Sequence, residues 1–189
     1  MYDFQWYPLM SSNSPETCVF ATTSQYQPIH LYDAFDGRIR ATYRCFNHLD
    51  EVTAARSLCF NPSGSKLLAG LKNQIRIFDV GIPGRDCETV TLFDKKDSSE
   101  GLCGIISAMA FNPVMEQVFA LASYNKSLAV YLDPRAQLLC KMDGQKGGIT
   151  HLKFTPDGTK LLAGVLHNPL AAFMPMPINS YFFCRRAKR

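Results

Sequence analysis

The side chains with the most chemical capacity sit in a few short peptides. Asn47–Glu51 reads NHLDE and brings His48, Asp50 and Glu51 together. Such a set could ligate a metal or move protons. A metal of the zinc type also needs a second His or Cys group at ligand spacing, and none stands near. The loop therefore reads as structural wiring, with no catalytic residue, metal or cofactor expected. The seven cysteines show no Cys-x-x-Cys spacing. Cys18, Cys59 and Cys140 fall in or beside strand-like runs, where a free thiol behaves as a small apolar group. Without a secretory signal, reduced thiols inside a cell are expected. The glycines of Gly81–Gly104 lack the G-x-x-x-x-G-K-[ST] spacing of a phosphate-binding loop. What remains is positive charge. Arg38, Arg40 and Arg44 in RIRATYRCF share one parity and hence one face of a strand. They are either edge charges that discourage aggregation or a stripe that meets phosphates. Arg85, Lys95 and Lys96 are either solvated surface charge or a place to meet an acidic partner. A net charge of +4 and a pI near 8.7 permit nucleic-acid contact without demanding it.

The elements that must carry these residues are short strands. Ser57–Val80 holds three runs, Ser57–Phe60, Lys66–Gly70 and Ile75–Val80, separated by Asn61-Pro62-Ser63-Gly64 and Leu71-Lys72-Asn73-Gln74. Runs this short, punctuated by Pro, Gly and Asn, predict consecutive antiparallel strands. Similar units recur at Asp3–Asp33, Ile106–Pro134 and Ile149–Met174. Their turn prolines Pro8, Pro62, Pro113 and Pro156 are 54, 51 and 43 residues apart. Four-stranded propeller blades repeat at roughly 40–45 residues, and longer connections account for the excess. The fold class expected is all-β: a partial WD40 β-propeller of about four antiparallel four-stranded blades, the first and last incomplete. Arg38–Phe46, Thr89–Phe93 and Arg135–Met142 are the outer strands.

Two segments are expected: the partial propeller at 1–164 and an irregular apolar and basic tail at 165–189. The chain is expected to be a truncated form, since it opens inside its first strand and leaves the repeat after Gly164. The tail could span a bilayer over Leu161–Phe183. Pro169, Pro175 and Pro177 argue against that, so no membrane association is expected.

Residues 1–164 resemble the telomerase Cajal body protein family. The resemblance is carried by Trp6-Tyr7, Leu9-Met10-Ser11-Ser12, Pro28-Ile29-His30, Asp33-Ala34-Phe35, Asn47–Glu51, Pro83–Glu88 and Gly147–Leu152. Loop peptides such as NHLDE and PGRDCE are not dictated by a propeller, which makes the likeness specific. It implies a nuclear, non-enzymatic scaffold that binds box H/ACA small Cajal-body RNAs, and telomerase RNA where it has the localisation box. It would direct them to Cajal bodies, with telomerase ribonucleoprotein and other proteins as partners and no DNA. Unpaired RNA is read by stacking, and by cations on its phosphates. On surface chemistry, the RNA-binding candidates are Arg38, Arg44, His48, Arg56, Arg85 and Lys146. The alternative is a generic WD40 scaffold that holds proteins and touches no RNA.

Overall fold

The computed structural model describes residues 1–47, 49–92, 101–132 and 137–166, and the backbone of 173–175. The chain divides into two compact units, Met1–Thr91 and Leu92–Arg189.

The first unit contains two four-stranded antiparallel sheets. β1 (Asp3–Trp6), β2 (Val19–Thr23), β3 (Ile29–Asp33) and β4 (Ile39–Tyr43) pair in that order. β5 (Ser57–Phe60), β6 (Lys66–Gly70), β7 (Gln74–Asp79) and β8 (Glu88–Thr91) form the next sheet. The opening sheet, expected to be clipped, carries a four-residue β1 paired with β2 along its whole length. Alternation in β2 and β3 buries Val19, Ala21, Ile29 and Leu31 on one face. That face packs with Leu58, Phe60, Leu67, Ala69 and Phe78 of the second sheet in one core. Each of the larger side chains here (Val, Ile, Leu and Phe), fully buried, contributes about 1.5–3 kcal/mol.

Polar devices fix the seam between these two sheets. The Thr23 hydroxyl donates to the Ala55 carbonyl at 2.8 Å, and the Leu58 N–H donates to the Asp3 carboxylate at 2.7 Å. The Tyr7 ring meets Phe60 edge-on, with centroids 5.7 Å apart. It lies against Gly64, whose φ of +71° and lack of Cβ make room for it.

The second unit repeats the plan. β9 (Ile106–Phe111), β10 (Val118–Ser123), β11 (Ser127–Leu132) and β12 (Gln137–Met142) form a sheet with β9 and β12 at its edges. β13 (Ile149–Phe154), β14 (Lys160–Val165) and β15 (Phe173–Pro175) form a three-stranded one. Leu128, Val130, Leu152, Phe154 and Leu161 share its core. The buried Ser107 hydroxyl donates to the Ile149 carbonyl at 2.5 Å, and Asn112 Nδ2 donates to the Gly158 carbonyl at 2.9 Å. The boundary expected after residue 164 falls inside β14, and residues 173–175 pair with that strand. The remainder of the tail, and with it the bilayer alternative, lies outside the described residues.

These sheets are the blades of a partial WD40-type propeller. β4, β8 and β12 are edge strands of their sheets, as expected.

Candidate nucleic-acid interface

The arginine stripe of β4 does not form. Leu31 pairs with Ala41 and Tyr32 with Ile39, so Arg40 is an extra residue in a β-bulge. A bulge breaks the alternation on which a common face depends. Arg40 turns instead to the buried Asp33. Its Nε donates to Asp33 Oδ2 at 2.8 Å, Nη2 reaches the same oxygen, and Nη1 donates to the Glu16 carbonyl at 2.6 Å. Asp33 also accepts the Phe35 N–H at 2.7 Å, which with Arg40 holds its carboxyl below the usual range. Arg38 lies beyond the start of β4, beside Asp36 at 3.6 Å, and its side chain is 86% exposed. Arg44 lies beyond the other end. The five residues of β4 between them set the two roughly 17–20 Å apart.

Arg44 and Arg56 lie at the same end of the first unit. Strand register shows why. Asp3 pairs with Thr23, Thr22 with His30 and Ile29 with Tyr43. The starts of β1 and β3 and the ends of β2 and β4 therefore coincide. The Arg44 charge and, more strongly, burial lower the pKa of His30, whose Nδ1 lies 3.0 Å from the Thr42 hydroxyl. Arg56 arrives through the seam, anchored by Thr23 on Ala55 and by its own N–H on the Gly70 carbonyl at 2.8 Å. Its guanidinium carbon stands 4.0 Å from the centroid of the Tyr2 ring, a cation–π distance. Lys72 follows two residues after Gly70, exposed in the β6–β7 turn.

Arg85 belongs to a second cluster, which joins the two loop peptides. Asn47 folds its loop: its side-chain oxygen accepts the N–H groups of Leu49 and Glu51, at 2.8 and 3.0 Å. Its amide donates to Glu51 Oε2 at 2.9 Å. Gly84 pairs with Tyr43, and its carbonyl accepts the Arg44 N–H at 2.8 Å. Arg85 consequently reaches Asp50 at 3.0 Å and covers the Phe46 ring at 4.7 Å. Beneath them Arg76 donates to the Phe46 carbonyl and contacts Cys87 Sγ at 3.9 Å. Burial pushes the neighbouring Cys45 thiol up to about 12, against the pull of Arg76, and keeps it protonated. Arg85 is thus half committed to Asp50. An exposed pair of this kind is worth about 0–1 kcal/mol and leaves the guanidinium recruitable.

Lys146 is exposed in the second unit, in the connection from β12 to β13. His48 lies outside the described residues. Among the described residues no three His, Cys, Asp or Glu side chains are grouped to hold a metal, and the described cysteines are free. The sequence reading did not single out Tyr2, Tyr26 or Lys72. Tyr2 touches Arg56 only through a contact spanning 54 residues. In the sequence the turn holding Tyr26 is only a gap between two strand-like runs.

A WD40 model (WD domain, G-beta repeat) matches residues 136–166. Telomerase Cajal body protein 1 of Rattus norvegicus and of Homo sapiens are each 47% identical to this chain over 164 residues, 87% of its length. The Telomerase Cajal body protein 1 homolog of Drosophila melanogaster is 35% identical over 154 residues, 82% of the chain. The chain spans 30% of the rat protein, 29% of the human one and 27% of the fly one.

Proposed function

Because this chain is a WD40-repeat relative of the telomerase Cajal body proteins, we propose that it acts as a non-catalytic RNA-binding scaffold in the nucleus. Its ligands are box H/ACA small Cajal-body RNAs, and telomerase RNA where that RNA has the localisation box. Its task is to direct them to Cajal bodies, within a telomerase ribonucleoprotein and other protein partners. The propeller sheets carry this role, and the tail after them has none. The observation that carries the reading is the pairing of exposed cations with aromatic rings, one of the two pairs standing where NHLDE and PGRDCE meet. Arg85 covers Phe46 between NHLDE and PGRDCE, and Arg56 covers Tyr2 at the end of the unit that also holds Arg44. Rings and guanidinium planes stack on unpaired bases, while cations meet phosphates. Arg38, at the far end of β4, His48 and Lys146 are weaker members of the proposed contact set.

The test is ultraviolet crosslinking of the chain in cells, followed by sequencing of the recovered RNA. Small Cajal-body RNAs should be enriched. Binding in solution should weaken with salt at a slope of about −0.7 per phosphate contacted. Recovery of no RNA class above background would sink the reading.

A second reading, a scaffold for proteins alone, draws on one face of the first sheet. Trp6, Phe20 and Tyr32 form a cross-strand row there, with Trp6–Phe20 centroids 5.1 Å apart and Phe20–Tyr32 stacked at 5.6 Å. Trp6 is 50% exposed, and exposed apolar patches mark interaction sites. Binding through that face would be insensitive to salt.

A further inference from the structure

The turn between β2 and β3 holds Tyr26 in the left-handed region, at φ +58°. The equivalent turns between β6 and β7 and between β10 and β11 place Asn73 at +61° and Lys126 at +63°. Asn tolerates this conformation through its short polar side chain, whereas a bulky aromatic residue there is an outlier. Glycine or asparagine would remove the cost. The Tyr26 side chain recovers nothing from burial, because the residue is 81% exposed. The turn imposes this backbone on its occupant, Lys126 included, and in the first sheet it displays an aromatic ring to solvent, an outlier that motivates a functional hypothesis.

Register shows what stands beside it. Thr23, the last residue of β2, accepts the Tyr2 N–H on its carbonyl at 2.7 Å and donates its hydroxyl to Ala55. Tyr26 lies three residues further on, in a turn closed by the Gln27 N–H on the Ser24 carbonyl at 3.4 Å. The Arg56–Tyr2 stack and the Tyr26 turn therefore share one end of the first unit. Arg44 and Lys72 are exposed at that same end.

We propose that Tyr26 and the Arg56–Tyr2 stack form a base-stacking platform for unpaired RNA, with Arg44 and Lys72 placed for the flanking phosphates. The inference rests on the RNA reading above and deepens it, because it names unpaired bases as the element recognised. Both rings offer π faces without a fixed set of edge donors, so this platform discriminates poorly among bases. Selection of one RNA over another must come from elsewhere on the chain.

The test uses the full chain and two probes: a short unpaired RNA oligonucleotide of mixed sequence, and a hairpin presenting the localisation box. Tyr26→Gly should raise the thermal midpoint by relieving the turn, yet weaken binding of the oligonucleotide by roughly 5- to 150-fold, the loss of one stacked base. Arg56→Lys keeps the charge but loses the planar stack, and should weaken binding while leaving the salt slope unchanged. The raised midpoint rules out misfolding as the cause. Equal affinity of the wild type, Tyr26→Gly and Tyr2→Ala for both probes would overturn the platform and leave the RNA reading standing. Tyr26-dependent binding of the oligonucleotide, with no preference for the hairpin, would support the platform and count against the targeting role. Binding of neither probe would remove both.

Discussion

The two units solve the same packing problem with different chemistry. Each joins two sheets face to face, and each places a glycine of the next sheet's first turn against a side chain of the sheet before it. In the first unit that side chain is Tyr7, an aromatic wedge against Gly64; in the second it is Asn112, a buried amide against Gly158. The units also differ in charge. The first holds eight Lys and Arg against nine Asp and Glu, the second twelve against seven. Yet, among the described residues, the first carries both arginine–aromatic stacks. A candidate RNA surface is therefore legible only from local arrangement, since the unit with the favourable net charge is the other one.

The seam glycines give the sharpest way to break the comparison. A Cβ on Gly158 would stand 2.5 Å from Asn112 Oδ1, and one on Gly64 would stand 2.5 Å from the Tyr7 ring. Both residues have positive φ, at +68° and +71°. An alanine at either position pays about 1–2 kcal/mol for the backbone, and overpacking adds about 1–3 kcal/mol. Gly158→Ala should cost more. Asn112 is buried and also accepts the N–H groups of Val114 and Met115, at 2.9 and 3.0 Å, so it cannot retreat. Partly exposed Tyr7 can. Adding Tyr7→Ala should recover part of the loss from Gly64→Ala. Adding Asn112→Ala should deepen the loss from Gly158→Ala, because it orphans buried polar groups at about 1–3 kcal/mol. Urea unfolding of the four variants measures this. Rescue in both seams would show that the amide is only a filler.

The charge comparison leads to a smaller effect. Arg56→Ala removes a cation held on an aromatic ring, while Lys146→Ala removes one from the more basic unit. If local arrangement governs binding, Arg56→Ala should weaken RNA affinity about tenfold and flatten the salt slope by about 0.7. Lys146→Ala should weaken it less than threefold. The reverse ranking would move the interface to the second unit. Fluorescence anisotropy across a salt series separates the two.

Much of the scaffold was readable from punctuation. FNPSG marked β5 and β6 to the residue, and the third run shifted by one position to Gln74–Asp79. The site was less readable, for physical reasons. Parity assigned Arg38, Arg40 and Arg44 to one face, but the extra residue of a bulge is invisible to an alternation rule. The likeness of NHLDE and PGRDCE to known peptides said nothing of their meeting. That follows from the pairing of Gly84 with Tyr43, a contact between residues 41 apart. The Arg56–Tyr2 stack depends on a seam between sheets, which no local pattern encodes.

Two tyrosines, one per unit, yield the smallest effect, and the one in which sign decides. Tyr43 and Tyr131 are both buried, and burial is the main cause that raises each phenol to about 12. Their hydroxyls fare differently. Tyr43 donates to the Val80 carbonyl at 2.8 Å, while the buried Tyr131 hydroxyl meets only the Leu102 backbone and makes no well-formed hydrogen bond among the described residues. Tyr43→Phe should therefore cost about 1 kcal/mol. Tyr131→Phe should be neutral or stabilising by up to about 1 kcal/mol, because it removes a polar atom that folding desolvates with little reward. The pH dependence has one sign in both cases. Below pH 10, the ordinary tyrosine value, folded and unfolded chains both hold the proton. Between 10 and about 12 the unfolded chain releases a proton that the folded chain keeps, so stability falls as pH rises. Each Phe substitution should flatten that alkaline loss by the same amount, while only Tyr43→Phe costs stability at neutral pH. Thermal midpoints from pH 8 to pH 11 test both statements. Equal destabilisation by the two substitutions at neutral pH would mean that the Tyr131 hydroxyl is satisfied in solution, and this difference between the units would disappear.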